Sequence, residues 1–169
     1  MAYIKLKDLL QENIDYKLEI KKALQKFPKF IQDDIAGEFF SDPNVKQEDF
    51  DHMMSVINSW EMADNNVKDI DVITIIKNPE NKPVLDRLAK SMIAKINEKY
   101  RLNLTFSREG HSNLRSLHNL KKYTKLDPKT APPITVDIKG RVLMGMHRTL
   151  AAIIRGDPTI KSYVMKSTK

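Results

Sequence analysis

The segment from residue 132 to residue 165 limits the possible folds more than any other part of the chain. Apolar Ile134, Val136 and Ile138 alternate with polar residues, which is typical of a half-buried strand. Gly140 then predicts a tight turn, because glycine adopts positive φ at little cost. The expected elements are a strand from 134 to 138, a strand over 141–144, a helix over 147–155 and a last strand over 160–165.

The junction between the second strand and the helix predicts a ligand site. The first N–H groups of a helix have no partner within the helix and lie at the positive end of its dipole, so they favour an anion. Arg148 adds a permanent cation, and His147 adds a donor or a titratable base. Glycine at 145 lets the backbone approach a ligand closely. We therefore predict phosphate binding by Gly145, Met146, His147, Arg148 and Thr149.

The same side chains also have structural interpretations. Arg148 could instead pair with Asp157 or Asp137 at the surface. A histidine at position 147 could simply cap the helix or pack against the sheet. Only the neighbouring glycine and arginine favour the ligand interpretation of His147.

Charge is unevenly distributed along the chain. Residues 106–169 carry 13 Lys and Arg against 4 Asp and Glu, whereas residues 1–105 carry 16 against 18. A basic half beside a near-neutral one favours a polyanionic partner, because clustered cations displace counterions from a phosphate backbone. Ser112 is expected to begin a basic amphipathic helix that extends to about Tyr123. The predicted DNA-binding residues are Arg115, His118, Lys121, Lys122, Lys139 and Arg141.

Residues 11–125 are predicted to be mainly helical, because apolar residues recur there at helical spacing. Trp60 continues one such stripe and is expected to be buried. Residues 72–76 are β-branched and short, so strand and helix both remain open. Alternation over residues 3–7 predicts a short N-terminal strand. The helical stripes span Ile20 to Phe27, Phe30 to Phe39, Phe50 to Trp60 and Leu85 to Ile96.

Composition excludes several classes of function. The chain has no cysteine, which rules out disulfides and thiolate chemistry. It has no apolar run of bilayer length and no apolar secretory signal at the N-terminus, so we expect a cytoplasmic protein without a membrane partner. His111 and His118, with Glu109 nearby, do not predict a metal site, because seven residues separate the histidines and a third dedicated ligand is lacking.

The ordered set of motifs resembles the ParB-like nuclease and sulfiredoxin superfamily. The matching elements are Pro133-Ile134 before a strand, Gly140 at the turn, Gly145-Met146-His147-Arg148, Ala151-Ala152 and Gly156. Residues 4–9 are similar to the strand and turn with which such domains begin. The resemblance implies an α+β fold with a small mixed sheet, in which residues 1–10 and 126–169 form the core. Residues 11–125 would then be a mainly helical insertion packed on that core.

In this superfamily the glycine-x-His-Arg element contacts phosphate, in members that bind CTP, ATP or ADP or that act on DNA. The element falls here on Gly145, His147 and Arg148. Met146 occupies the position of the cysteine that sulfiredoxins need, so sulfinic-acid chemistry is not expected. Met144 stands where many members carry an acidic residue. The glutamate-arginine-arginine motif of the CTP-binding partition proteins is absent as well, so a chromosome-partition clamp is not expected.

The resulting hypothesis is a DNA-binding ParB-like protein that nicks or cleaves DNA. Its catalytic residues would be His147 and Arg148, with a carboxylate from Asp8 or Asp137. Such a nuclease needs this carboxylate to hold Mg²⁺ or Mn²⁺ or to accept a proton. One alternative is an enzyme or switch that binds ATP or CTP in the same phosphate site. The other is a catalytically inactive interaction protein of a phage or mobile element.

Overall fold

The computed structural model describes residues 16–40, 45–105 and 120–168. The chain divides into two compact units, Met1–Ala63 with Lys166–Lys169, and Asp64–Met165. The strand predicted at residues 3–7 lies outside the described residues. The division into a core of 1–10 and 126–169 and an insertion of 11–125 therefore stays a prediction.

The first unit is mainly helical in its described part. Its elements are α1 over 16–24, α2 Lys29–Phe40, α3 Gln47–Asn58 and β1 Trp60–Met62. Its buried apolar residues are Ile20, Leu24, Phe27, Ile31 and Ile57. Trp60 was expected to continue a helical stripe, but it begins β1 and is only partly buried. The last turn of α3 is closed by the Ser59 N–H, which donates to the carbonyls of Ser55 and Val56.

The second unit combines helices with most of a mixed sheet. Its strands are β2 Lys68–Asp71, β3 Ile134–Asp137, β4 Val142–Met144 and β5 Thr159–Ser167, whose last residues belong to the first unit. The strand order is β1-β5-β3-β4, with β2 also pairing with β5. Strand β3 runs parallel to β5 and antiparallel to β4. The helices are α4 Val72–Lys77, a 3-10 turn Pro79–Asn81, α5 Lys82–Leu85, α6 Lys90–Tyr100, α7 over 120–124 and α8 Met146–Arg155.

This arrangement confirms an α+β fold with a small mixed sheet. Residues 72–76, which the pattern left open, form helix α4, whose buried Val72, Ile75 and Ile76 follow helical spacing. The strand predicted at 134–138 is present as β3, but the prediction that it is half-buried is wrong, because all four residues of β3 are buried. Strand β3 lies between β4 and β5, with α4 and α8 packed against it, and such a strand has no solvated face. Ile138, beyond its end, is exposed.

The hairpin of β3 and β4 is held by a buried asparagine from the preceding helical region. The Asn81 side chain donates to the carbonyls of Ile75 and Gly140, each at 2.8 Å, and accepts the Val142 N–H at 2.7 Å. Gly140 adopts φ of +81° in the turn, as the sequence predicts. A buried amide with its hydrogen bonds made fixes the turn, because leaving those groups without partners would cost about 1–3 kcal/mol each.

The core of the second unit joins this helical region to α8. Apolar side chains of α4, α5 and α6 pack with Leu150, Ala152 and Ile153 of α8. Helix α8 thus has one face fixed in the core while its first turn lies at the edge of the unit. In the part of the chain that the structure describes, no helix has the length and apolarity needed to cross a bilayer.

Candidate phosphate site at the start of helix α8

Helix α8 begins directly after β4, with Gly145 as its N-cap residue. The Gly145 carbonyl accepts the Thr149 N–H at 2.9 Å and the Thr149 hydroxyl at 3.2 Å, which closes the first turn. Within the described residues, the N–H groups of Met146 and His147 donate to no protein acceptor. Two amides at the positive end of the helix dipole are therefore available to an anion.

Gly145 is required by conformation and by packing together. Its φ is +91°, a value that residues with a side chain rarely adopt. A Cβ at this position would lie 2.7 Å from Ile134 Cγ2 and 3.1 Å from Arg148 Nη2. The glycine thus allows α8 to start in close contact with β3. A side chain would not fit on the inner side of this turn, because Ile134 and Arg148 already occupy that space.

Arg148 lies beneath this turn and not on the surface. It is 8% exposed, and its Nη1 donates to the Pro133 carbonyl at 2.6 Å. Its side chain also lines a cavity of about 20 Å³ together with Arg155 and Lys161, which is room for about one water molecule. Arg148 therefore keeps a positive charge directly behind the helix start while also bonding the entry to β3.

His147 and Arg87 form the outer side of the same site. Burial lowers the pKa of His147 from its ordinary value of 6.5, and the positive charge of Arg87 lowers it further. Arg87 is exposed, lies between α5 and α6, and forms no ion pair with any described residue. The sequence gives no signal for Arg87, because 60 positions separate it from His147 and it belongs to no motif. Only the packing of α5 on α8 brings the two side chains together.

The predicted carboxylates are not assembled beside this turn in the described residues. Asp137 is buried, and its Oδ1 accepts the N–H groups of Lys139 and Arg141 at 2.8 and 2.9 Å. These bonds show that Asp137 organises the hairpin turn. It lies four residues along β3 from Pro133, or about 13 Å at 3.3 Å per residue, and so is distant from the start of α8. Asp8 lies outside the described residues, which contain no group of three acids or histidines suited to a metal ion.

The residues predicted to face DNA fall into two separate places. Lys121 and Lys122 are exposed on α7, which is close to the end of α8 because Arg155 Nη1 donates to the Tyr123 carbonyl at 2.5 Å. Arg115 and His118, from the same predicted helix, lie outside the described residues. Lysines 121 and 122 are therefore free to contact a partner, but they lie away from the first turn of α8.

Lys139 and Arg141 lie at the turn between β3 and β4. Lys139 is exposed, whereas Arg141 contacts Glu80 at 3.1 Å and Asp137 at 3.4 Å. The charge of Arg141 is thus largely balanced by the carboxylates of Glu80 and Asp137. This turn is at the opposite end of β3 from Gly145.

Met146 contributes only its backbone to the site, because its side chain packs against the core of the second unit. Asp157, an alternative partner for Arg148, is held by Arg155 instead. Comparison with protein-family models, with curated proteins and with solved structures found no match for this chain. The ParB-like resemblance therefore stays a prediction that rests on residues 4–9 and on the motifs between 133 and 156.

Proposed function

We propose that this chain is a DNA-binding protein and that it holds a phosphate of the DNA backbone at the start of α8. The main support is the convergence of positive groups at one helix start. Among the described residues the amides of Met146 and His147 donate to no protein acceptor, the charge of Arg87 acts on the His147 side chain, and Arg148 lies behind the turn. A negatively charged oxygen at this position would gain hydrogen bonds from the two amides and an attraction to the nearby positive charge of Arg87.

A polymer backbone suits this site better than an enclosed nucleotide. Pockets that hold small ligands usually measure about 300–1,000 Å³. The cavity lined by Arg148 measures about 20 Å³, which is too small for a nucleotide. The unit Asp64–Met165 carries 19 Lys and Arg against 10 Asp and Glu, a balance of +9. Such a balance favours DNA lying across the surface. We propose a cytoplasmic location together with this function.

Hydrolysis of the bound phosphodiester is a second candidate function. Its support is the lowered pKa of His147, which keeps the imidazole neutral near pH 7 and able to accept a proton from water. Mg²⁺ or Mn²⁺ would supply Lewis-acid assistance. Asp137 is engaged in the hairpin turn, so the proposal assigns the carboxylate to Asp8. If the protein binds DNA without cutting it, it corresponds to the alternative of a catalytically inactive interaction protein of a phage or mobile element.

The test compares two matched double variants in DNA binding. Arg87→Gln with His147→Gln removes both outer groups of the site, whereas Arg101→Gln with His52→Gln makes the same chemical changes at exposed positions elsewhere. Binding of a labelled duplex should weaken about tenfold or more in the first variant, because one charged contact and one hydrogen bond are lost. The second variant should bind like the wild type.

Absence of duplex binding by the wild type, or equal losses in the two variants, would contradict the proposal. Supercoiled plasmid incubated with Mg²⁺ or Mn²⁺ tests hydrolysis separately, since open-circular product requires cleavage. Arg148→Ala is a poor first test. It would leave the Pro133 carbonyl without its donor and would disturb folding together with binding.

A further inference from the structure

A second basic surface lies beside the end of α8. We call it the lysine loop, and it consists of Lys121, Lys122, Lys125 and Lys129 with Lys161 of β5. The first four are exposed, and Lys161 is partly exposed. Of these five lysines, the sequence predicted Lys121 and Lys122 as DNA contacts. Lys125 and Lys129 follow them along the chain, and the fold adds Lys161.

The backbone of the lysine loop is held by side chains of the neighbouring elements. Arg155 of α8 donates to the Tyr123 carbonyl, and the Lys161 ammonium donates to the Lys129 carbonyl. The Asp127 carbonyl accepts the N–H groups of Thr130 and Ala131 at 3.0 and 2.9 Å. These bonds fix the positions from which the lysine side chains extend, so binding a partner orders little backbone.

The acidic residues near the loop do little to cancel its charge. Asp157 forms a close pair with Arg155 at 2.6 Å, so these two charges compensate each other. Asp127 Oδ1 accepts the Lys129 N–H at 2.9 Å and caps a turn. Asp69 lies opposite Lys161 in the pairing of β2 with β5 and is exposed. Five lysines against Asp127 and Asp69 leave an excess of three positive charges.

The lysine loop adjoins the proposed phosphate site through one shared side chain. Arg148 lines the small cavity beside the loop, whose other walls include Tyr123, Pro132 and Lys161. The guanidinium behind the first turn of α8 therefore also faces the loop. Among the residues that line this cavity, the one carboxylate is Asp157, which Arg155 holds.

We infer that the lysine loop is a second contact surface for the DNA backbone. Phosphates that flank the one held at the start of α8 rest against Lys121, Lys122, Lys125 and Lys129. This inference rests on the proposed function and extends it, because it assigns the path of the DNA beyond the first phosphate. Continuity with Arg148 favours DNA over an acidic protein as the occupant.

The test uses two triple variants with the same change in charge. Lys121→Gln, Lys122→Gln and Lys125→Gln alter the loop, whereas Lys21→Gln, Lys22→Gln and Lys26→Gln alter three exposed lysines in and just after α1. Duplex affinity is measured over a range of salt concentrations for both full-length variants and the wild type. The loop variant should bind on the order of tenfold more weakly, and the slope of log K against log salt should fall by about 2–3. The α1 variant should keep the wild-type slope.

The outcomes separate this inference from the proposed function. If the wild type binds duplex DNA and the loop variant keeps its slope, the lysine loop is not a DNA surface although the proposed function stands. If the wild type does not bind duplex DNA, the proposed function fails and the inference fails with it. Displacement of the duplex by polyglutamate at an equal concentration of charges would overturn the assignment to DNA. Thermal unfolding of both variants verifies that a weaker affinity reflects lost contacts and not lost folding.

Discussion

The two ends of helix α8 both carry a glycine and basic residues, but they differ in how the basic residues are placed relative to the helix dipole. At its end, Arg155 pairs with Asp157, and Lys99 lies near the last turn, where the helix dipole is negative. At its start, Arg87 and His147 lie together where the dipole is positive. From the direction of the dipole, we expect the first arrangement to stabilise the helix and the second to destabilise it. A costly arrangement of this kind is common where a ligand supplies the missing charge.

The glycines at the two ends give the largest expected difference. Gly145→Ala should lower the free energy of unfolding by about 2–5 kcal/mol, because it combines left-handed strain with a clash against Ile134. Gly156→Ala should cost only about 1–2 kcal/mol, since φ is +76° but the nearest atom, Lys99 Nζ, is 3.8 Å away. Urea unfolding of both variants measures the difference. Equal losses would mean that Gly145 does not fix the contact between α8 and β3.

The pair at the end of α8 gives the next largest effect. Asp157→Asn should destabilise the protein by about 2–4 kcal/mol, because Arg155 would keep its charge in a mostly buried position without a carboxylate. Asp69→Asn, at an exposed position, serves as the control and should change stability by less than about 0.5 kcal/mol. A stable Asp157→Asn protein would show that the charge of Arg155 needs no balance, and the contrast between the two helix ends would lose its basis.

The titration of His147 should give a smaller effect, which distinguishes binding from hydrolysis. A bound phosphate favours the imidazolium, so DNA affinity should rise as the pH falls from about 8 through and below the ordinary histidine value of 6.5. Hydrolysis that uses neutral His147 as a base should slow over the same range. His147→Gln should remove the pH dependence of affinity, and His52→Gln should retain it. A wild-type affinity that is constant with pH would remove His147 from the phosphate site.

The lowered pKa of His147 also makes the stability of the folded protein depend on pH. Because the pKa of His147 is lowered in the folded protein, the unfolded chain takes up a proton first as the pH falls through the ordinary value of 6.5. The titration of His147 therefore leaves the free energy of unfolding unchanged well above pH 6.5 and lowers it in acid. Occupation of the site by an anion should reduce that loss.

The sequence predicted the C-terminal elements well because local signals specify them. Gly140 and Gly156 mark a turn and a helix end through backbone conformation, and both adopt positive φ. Helix α8 begins at Met146, one residue before the predicted start. The full burial of β3 was not predicted. The alternation of apolar and polar residues over 134–138 describes the side chains, whereas burial depends on which elements cover the strand. The packing of α4 and α8 on β3 is not encoded in the alternating pattern.

The site was predictable only in its contiguous part. Gly145, His147 and Arg148 lie in one motif, so their proximity follows from the chain itself. Arg87 comes from a distant segment, and the engagement of Asp137 in its own turn depends on geometry that composition does not reveal. The sequence also overestimated the accessibility of Arg148, since an arginine near a helix start is usually exposed. Long-range packing decided each of these differences.

The smallest expected effect tests the comparison directly, through two cations near opposite ends of α8. Arg87→Gln should raise the free energy of unfolding by about 0.3–1 kcal/mol, because it removes a positive charge near the positive end of the dipole and beside His147. Lys99→Gln should lower it by a similar amount, since that ammonium lies near the negative end. Arg87→Gln should weaken duplex binding at the same time, whereas Lys99→Gln should not. Urea unfolding at low salt measures both signs, which screening would hide at high salt. If both variants lost stability, Arg87 would be a structural residue, and the start of α8 would carry no unfavourable charge for DNA to relieve.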